Sequence, residues 1–287
     1  MLYNRDKKLK ISIVIPTLNR PDKLKNLLGR LALVIDQEEL IIVDDSKVAM
    51  SKEAIANYSF PINYIHRGEK LGVSSARNLG AAKATGDYLL FFDDDDDFTA
   101  EWLSDFRSRF DGNSDLITCD MKIIHENGKE QNVSAKERNY SIVIPGAWVI
   151  KKNIFDKVGG FDERLKFAEN TELFFRLGQI EKKTEYIEKQ NFIYYQSADG
   201  GSKNLQNMID SILIILDKHD SILTDHVKYL YHQIVGVNQM RFKRFAHARK
   251  HLWKAYCIKP WKLKTLARLV LSFIPIISMK IYTKQIS

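Results

Sequence analysis

Residues 88–98 read Tyr-Leu-Leu-Phe-Phe-Asp-Asp-Asp-Asp-Asp-Phe, five apolar residues followed by five consecutive aspartates. A short apolar run of this kind reads as a buried strand, so the acidic block falls where the strand ends. In open α/β sheets ligands collect at the carboxyl ends of the strands, and hard divalent cations take carboxylate oxygens. Adjacent negative charges repel one another unless something cationic sits among them. One reading is therefore a metal site that grips a phosphorylated substrate. The other is a solvated acidic turn, with Asp96 or Asp97 capping a helix that contains Ala100, Glu101, Trp102 and Leu103.

Working back from this block, the same alternation recurs. Ile11 to Pro16 is a β-rich run, and Thr17, Leu18, Asn19, Arg20, Pro21 and Asp22 form a loop into Lys23–Leu33, where Leu24, Leu27, Leu28 and Leu31 recur at helical spacing. Leu40 to Val43 is a second buried strand that stops on Asp44 and Asp45. A short helix near Ser51–Asn57, a strand at Ile62–His66 and a helix over Ser74–Ala84 complete the approach to Tyr88. Strand and helix alternating in this way predict a Rossmann-like α/β fold, a mostly parallel sheet with helices on both faces. Three of the four strands end in polar or acidic loops that would share one edge.

Beyond the aspartates the pattern loosens. Leu116–Ile124 and Ile142–Ile144 read as strands, Lys151–Val158 and Thr171–Leu177 as helices, and Phe192–Tyr195 as a last strand. Asp199, Gly200, Gly201 and Ser202 read as a hinge, after which Leu205–Leu216 and Lys228–Tyr256 are helical in pattern. This predicts an α/β domain over residues 1–203 and a helical C-terminal region over residues 204–287, which a chain of 287 residues can hold. The two cysteines, Cys119 and Cys257, match no ligand spacing, so neither a disulfide framework nor a zinc site is expected and a reducing compartment is. The basic start before Ile11 precedes too short an apolar stretch for a signal peptide.

Four motifs in order give a family resemblance over roughly residues 10–200. ISIVIPTLNR, IIVDDS, GVSSARNLGAAKATGDYLLFFDDDDDF and GGFDERLKFAENTELFFR are together similar to the family 2 glycosyltransferases, enzymes of the nucleotide-sugar-binding GT-A fold. The resemblance implies that Thr17, Asn19, Asp44 and Asp45 line a nucleoside pocket, where a carboxylate can accept the uracil imide proton. It implies that Arg77 and Asn78 are a donor-binding pair, the arginine forking onto pyrophosphate or base oxygens. It aligns Asp93, Asp94 and Asp95 with an Asp-x-Asp triplet, Asp95 being the direct ligand of manganese or magnesium and Asp93 touching the ribose or a metal-bound water. The cation would stabilise the charge that develops on the departing nucleoside diphosphate. Many relatives add a histidine after the last strand, and YYQSADGGSKN has none.

Inverting transfer needs a carboxylate to take the acceptor proton. Where the family has a Glu-Asp pair, this chain has Glu169 and Asn170, and an amide is no base. Glu169 is the expected base; Glu172 or Asp162 reaching the acceptor, or an inactive protein, are the alternatives. Glu169 and Glu172 would equally well stabilise the start of a helix. Trp148 is either a sugar-stacking platform or a core residue.

Charge is unevenly placed. From His226 to the end there are thirteen Lys and Arg and no acidic residue, so with a total of +8 the first 225 residues carry −5. Between Met240 and Pro275 the cations interleave with Phe242, Phe245, Trp253, Tyr256 and Trp261, beside an apolar stripe of Leu266, Leu269, Val270, Phe273 and Ile274. This composition suits a helix lying in an anionic membrane interface, or else an ordinary helical subdomain. Leu269–Met279 is too short to span a bilayer and contains Pro275. No nucleic-acid motif is present, so nucleic acid is not an expected partner. The expectation is a hexosyl- or N-acetylhexosaminyl-transferase that moves a sugar from a nucleoside diphosphate, UDP in the first instance, to a glycan or lipid-linked acceptor of surface polysaccharide. It would act in the cytoplasm, peripherally at the inner face of the plasma membrane. The alternative is a catalytically impaired scaffold that binds the nucleotide sugar.

Overall fold

The structure, a computed structural model, describes residues 9–51, 55, 58–136, 143–196 and 204–283. Of the expected helix at Ser51–Asn57 only residues 51 and 55 are described, and the hinge at Asp199–Ser202 lies outside the described residues. The chain divides into two compact units, residues 1–163 with 169–200, and residues 201–287 with 164–168.

The first unit is built on β1 (Ile11–Thr17), α1 (Pro21–Leu31), β2 (Glu39–Asp44), β3 (Ile62–His66), α2 (Val73–Lys83) and β4 (Tyr88–Phe91). Then come β5 (Asp97–Phe98), α3 (Trp102–Arg107), β6 (Leu116–Ile124), β7 (Glu130–Val133), β8 (Trp148–Lys151), α4 (Lys152–Lys157), α5 (Glu169–Leu177) and β9 (Thr184–Tyr195). The strands form one sheet in the order β3-β2-β1-β4-β8-β6-β9-β5, with β7 on β6. Strands β3, β2, β1 and β4 are parallel neighbours. The later half is mixed: β8 runs antiparallel to β4 and β6, while β9 is parallel to β6.

Strand β1 is buried along its whole length because both sheet faces are covered. Its side chains alternate: Ile13 and Ile15 join Leu24, Leu27, Leu28 and Leu31 of α1 in one core, and Val14 joins Ala76, Phe91 and Leu173 in the other. Pro21 starts α1, where its missing N–H costs nothing.

The strand expected at Ile142–Ile144 does not form there. Ile142 lies outside the described residues, Val143 and Ile144 are irregular, and the chain pairs instead at Trp148–Lys151. Pro145 has no N–H to give a ladder, and Gly146 sits at φ 94°, a backbone that L side chains avoid.

The second unit carries α6 (Leu205–Lys218), α7 (Asp225–Arg241), α8 (Phe245–Ile258), α9 (Leu263–Leu271) and α10 (Pro275–Ile281). The long helix expected over Lys228–Tyr256 is broken. Lys243 adopts φ 59°, its N–H bonds Met240 O at 2.9 Å and that of Arg244 bonds Gln239 O at 2.9 Å. This is a Schellman stop with lysine where glycine is usual. Across the turn, buried His232 and His251 meet with their Nδ1 atoms 3.0 Å apart.

Gly80 of α2 lies so close to β1 that an added Cβ would stand 2.3 Å from Val14 Cγ1. Gly80→Ala should therefore lower stability by about 1–3 kcal/mol, read as a fall in Tm by calorimetry.

Burial, with nearby Lys254, lowers both histidines from the ordinary 6.5 to about 4. Between these values the unfolded chain binds protons that the folded one refuses, so their contribution is complete above about pH 6.5 and is lost as pH falls toward 4. The protection factors of amides in α7 and α8, exchange rates taken relative to the intrinsic rate at each pH, should fall over that window, and a His232→Gln, His251→Gln double variant should flatten the dependence.

Candidate active site

The parallel register sets one row of side chains along the carboxyl edge of the sheet. Thr17 lies opposite Asp44, and Asp44 opposite His66. Val14 lies opposite Phe91, so three residues further along each strand Thr17 comes level with Asp94. The Thr17 hydroxyl indeed donates to Asp94 Oδ2 at 2.7 Å.

Beside this row is a cavity of about 330 Å³ lined by Thr17, Asn19, Arg20, Asp44, Ser46 and Met50, among others. Asn19 turns the loop through φ 54° and gives its N–H to Ser46 Oγ at 2.6 Å. Asp44 is 2% exposed; its Oδ1 accepts from Ser46 N at 2.8 Å and its Oδ2 from the Tyr64 hydroxyl at 2.5 Å. Burial and the bond to Asp44 push Tyr64 up to about 12, so the phenol stays a donor. Asp45 does not line the cavity. Its carboxylate is taken up by Arg67 Nε and Nη2 at 2.6 and 2.8 Å and by the N–H groups of Leu71 and Gly72 at 3.1 and 3.2 Å. Asp45 thus shapes the loop that leads into α2. A larger cavity, of about 420 Å³, is lined by Gly86, Asp87, Tyr88, Lys151 and Lys152. It sits at the opposite, amino end of β4, remote from the acidic loop.

Exposure alternates through the aspartate run. The side chains of Asp93, Asp95 and Asp97 are 31%, 30% and 30% exposed, whereas Asp94 and Asp96 are buried. Arg20 bridges Asp94 at 2.9 Å and Asp95 at 2.7 Å, Lys23 reaches Asp95 at 3.5 Å, and Arg30 pairs with Asp97. Burial raises the Asp94 carboxyl, against the bonds from Thr17 and Arg20. Burial, then the charges of Asp93 and Asp95, raise Asp96 well above the usual carboxylate range. The hydroxyl of Tyr194 is raised by burial and then by the negative fields of Asp96, Asp95 and Asp93. The acidic-turn reading fails in one respect: the N-cap of α3 is Glu101, neither Asp96 nor Asp97.

Arg77 is 1% exposed. Its Nη2 donates to Asp93 at 2.6 Å and its Nη1 to Glu169 at 3.2 Å. Burial by itself would lower this guanidinium, but Asp93 and Glu169 more than reverse that and hold it above its ordinary value. Its Nη groups therefore serve two carboxylates, one in the acidic loop and one at the start of α5. Asn78 faces elsewhere, bonding Phe161 O and N at 2.9 and 2.8 Å and Glu163 at 2.9 Å; it pins the 161–163 segment.

Two readings of the acceptor side are corrected. Glu172 cannot reach an acceptor, because it is 1% exposed and grips Arg176 at 2.9 and 2.7 Å. Arg176 in turn bonds Gly160 O at 2.6 Å and Val158 O, closing the Gly159–Gly160 turn. Trp148 is no stacking platform: it is fully buried against Phe91 and Phe174.

Among the described residues, no group of three or more His, Cys, Asp and Glu is disposed to hold a metal ion. The donor chemistry nonetheless fits a hard dication that takes its other ligands from phosphate and water. Asp93 and Asp95 present partly exposed oxygens on one loop, and the partners of Asp95, Arg20 and Lys23, are 42% and 52% exposed, a kind of pair that is weak and exchangeable. Arg20, Lys23, Tyr64, Arg67 and Tyr194 were not singled out from sequence. Arg20 alone carried a local signal, sitting in the loop directly after β1.

Comparison with known proteins gives the class of protein. Residues 12–176 match Glycosyl transferase family 2, more than half of the chain, and the chain belongs to that family. An uncharacterized glycosyltransferase of Haemophilus influenzae is 29% identical over 225 residues, 70% of this chain and 75% of that protein. Staphylococcus aureus TarS residues 1–349 in complex with UDP superpose with a TM-score of 0.64 at 17% identity, covering 92% of this chain and 89% of that one. A Pyrobaculum calidifontis mannosyltransferase in complex with GDP-Man and Mn2+ gives 0.58 at 14% identity, covering 94% and 87%.

Glu172→Ala would leave the Arg176 guanidinium largely buried without its carboxylate. A loss of about 3–5 kcal/mol is expected, read as a lower denaturation midpoint, while Glu172→Gln should recover part of it.

Proposed function

We propose that this glycosyltransferase inverts the anomeric centre of a nucleoside diphosphate sugar, in the first instance a UDP-sugar carrying a hexose or N-acetylhexosamine. The acceptor is a glycan or lipid-linked intermediate of surface polysaccharide, met at the inner face of the plasma membrane. Residues 1–203 form the catalytic domain and residues 204–287 the basic helical region that faces the anionic membrane. What carries the reading is one juxtaposition: Arg77 joins Asp93 of the acidic loop, next to the nucleoside cavity, to Glu169.

In this reading Thr17, Asn19 and Asp44 hold the nucleoside, Asp44 accepting the imide proton of the base. Asp93 and Asp95 hold manganese or magnesium, which when bound stabilises the negative charge on the leaving diphosphate. Glu169 accepts the proton of the acceptor hydroxyl as its oxygen bonds to the anomeric carbon and the bond from that carbon to the diphosphate breaks. Arg77 orients Glu169, and Asn170, whose Nδ2 lies 3.4 Å from Glu169 Oε1, steadies it without being a base. The ion pair between Arg77 and Glu169 also favours a second reading, since it engages the carboxylate oxygen that would have to meet the acceptor hydroxyl: an impaired protein that binds donor without transferring the sugar.

The test is release of nucleoside diphosphate from a panel of donors with manganese or magnesium and crude lipid-linked acceptor. Asp95→Ala should abolish metal-dependent release, and Glu169→Gln should slow it by about 10²- to 10⁴-fold. Loss in Asp95→Ala alone would move the base away from Glu169. Donor binding with no release from any donor would establish the scaffold.

A further inference from the structure

The last two helices bury Leu269 beside hydroxyl side chains and leave most of their other apolar side chains outward. In α9 and α10 and the turn between them, Thr265, Ser272 and Ser278 are wholly buried. Leu263, Phe273 and Ile276, by contrast, are 76%, 65% and 71% exposed. The buried hydroxyls are satisfied locally. Thr265 Oγ1 lies 3.0 Å from the Tyr229 hydroxyl, and the hydroxyls of Ser272 and Ser278 bond the carbonyls of Leu269 and Leu271 at 2.5 Å. Val270, Ile274, Ile277 and Ile281 are exposed as well. Water does not favour this arrangement: an amphipathic helix in an aqueous protein turns its apolar stripe to the core, and a contiguous exposed apolar surface marks a site of contact.

Charge selects the occupant. Exposed Lys262, Lys264 and Lys280 flank the apolar face, with Trp261 exposed at its start. The sequence from His226 onward has no acidic residue to balance them. Two copies of this chain meeting face to face would set these cations against one another, which disfavours a self-association surface. An anionic bilayer matches both parts, with headgroup phosphates for the lysines and acyl chains for the leucine, isoleucine and phenylalanine side chains. Among the described residues no helix is long and apolar enough to cross a membrane, so the contact is with one leaflet.

We infer that the outward face of α9 and α10, centred on Leu263, Phe273 and Ile276, inserts into the interfacial layer of an anionic lipid surface. The inference rests on the membrane-facing part of the proposed function and is independent of the transfer chemistry. It gives the C-terminal unit one defined lipid-contacting surface in place of a diffuse basic charge.

Flotation of the full chain with phosphatidylcholine vesicles, with and without phosphatidylglycerol, tests it. The wild type should float with the anionic vesicles, less so as salt rises. Leu263→Ser with Ile276→Ser should reduce partitioning about tenfold or more. Lys262→Glu with Lys264→Glu should do so on anionic vesicles only. Both substituted pairs are exposed, and circular dichroism should be unchanged. Undiminished flotation of the Leu263→Ser, Ile276→Ser variant would overturn this face while leaving membrane association standing. A wild type that does not float would overturn both, without bearing on donor turnover. A dimer in sedimentation that the same variant abolishes, with no vesicle binding, would give the face to a second copy instead.

Discussion

A guanidinium with 1% exposure is tolerable only where carboxylates surround it, because an uncompensated buried charge costs several kcal/mol. Arg77 meets that condition with two partners from distant stretches of chain, Asp93 after β4 and Glu169 at the start of α5. The three groups therefore fix each other. The acidic loop, the N-terminal end of α5 and helix α2 cannot shift independently without exposing or stranding a charge. Next to Arg77, the Asn78 amide holds the backbone of Phe161, so one turn of α2 positions both the candidate base and the segment that precedes it.

Around that fixed point the acidic loop combines two kinds of carboxylate. Asp94 and Asp96 are buried and belong to the scaffold, Asp94 being tied to Thr17 and Arg20. Asp93, Asp95 and Asp97 face outward and are neutralised by side chains. Their crowding is visible in Asp96, which burial and its neighbours Asp93 and Asp95 keep well above the carboxylate range. The cation proposed for this loop would bring further positive charge to the cluster. The exposed partners of Asp95 are the ones that can yield to it, since exposed ion pairs are worth little.

The C-terminal unit follows a different logic. Its interior includes hydroxyls and a neutral histidine pair, while much of its apolar surface faces outward on α9 and α10. An aqueous fold built this way forgoes hydrophobic stabilisation that the same side chains would supply if inverted. The arrangement makes physical sense where the outer surroundings are themselves partly apolar.

The parallel half of the sheet, which carries the site, was legible in the chain. Apolar runs ending in Thr17, Asp44 and Asp93 are local signals, and parallel pairing brings strand ends together whatever the side chains do later. The family is likewise legible from four motifs in order. Helix positions were legible wherever apolar spacing was regular, as in α1, but the break at Lys243 was not, because a left-handed lysine has no local signature of the kind glycine provides. Which partner each acid meets was settled by packing. Asp44 and Asp45 are neighbours in sequence, yet one lines the cavity and the other is gripped by Arg67. Glu169 and Glu172 are one helical turn apart, yet one reaches Arg77 and the other closes on Arg176. Partners in such pairs come from residues up to 92 positions away, and burial depends on every element packed above them; neither is written in a local stretch of chain.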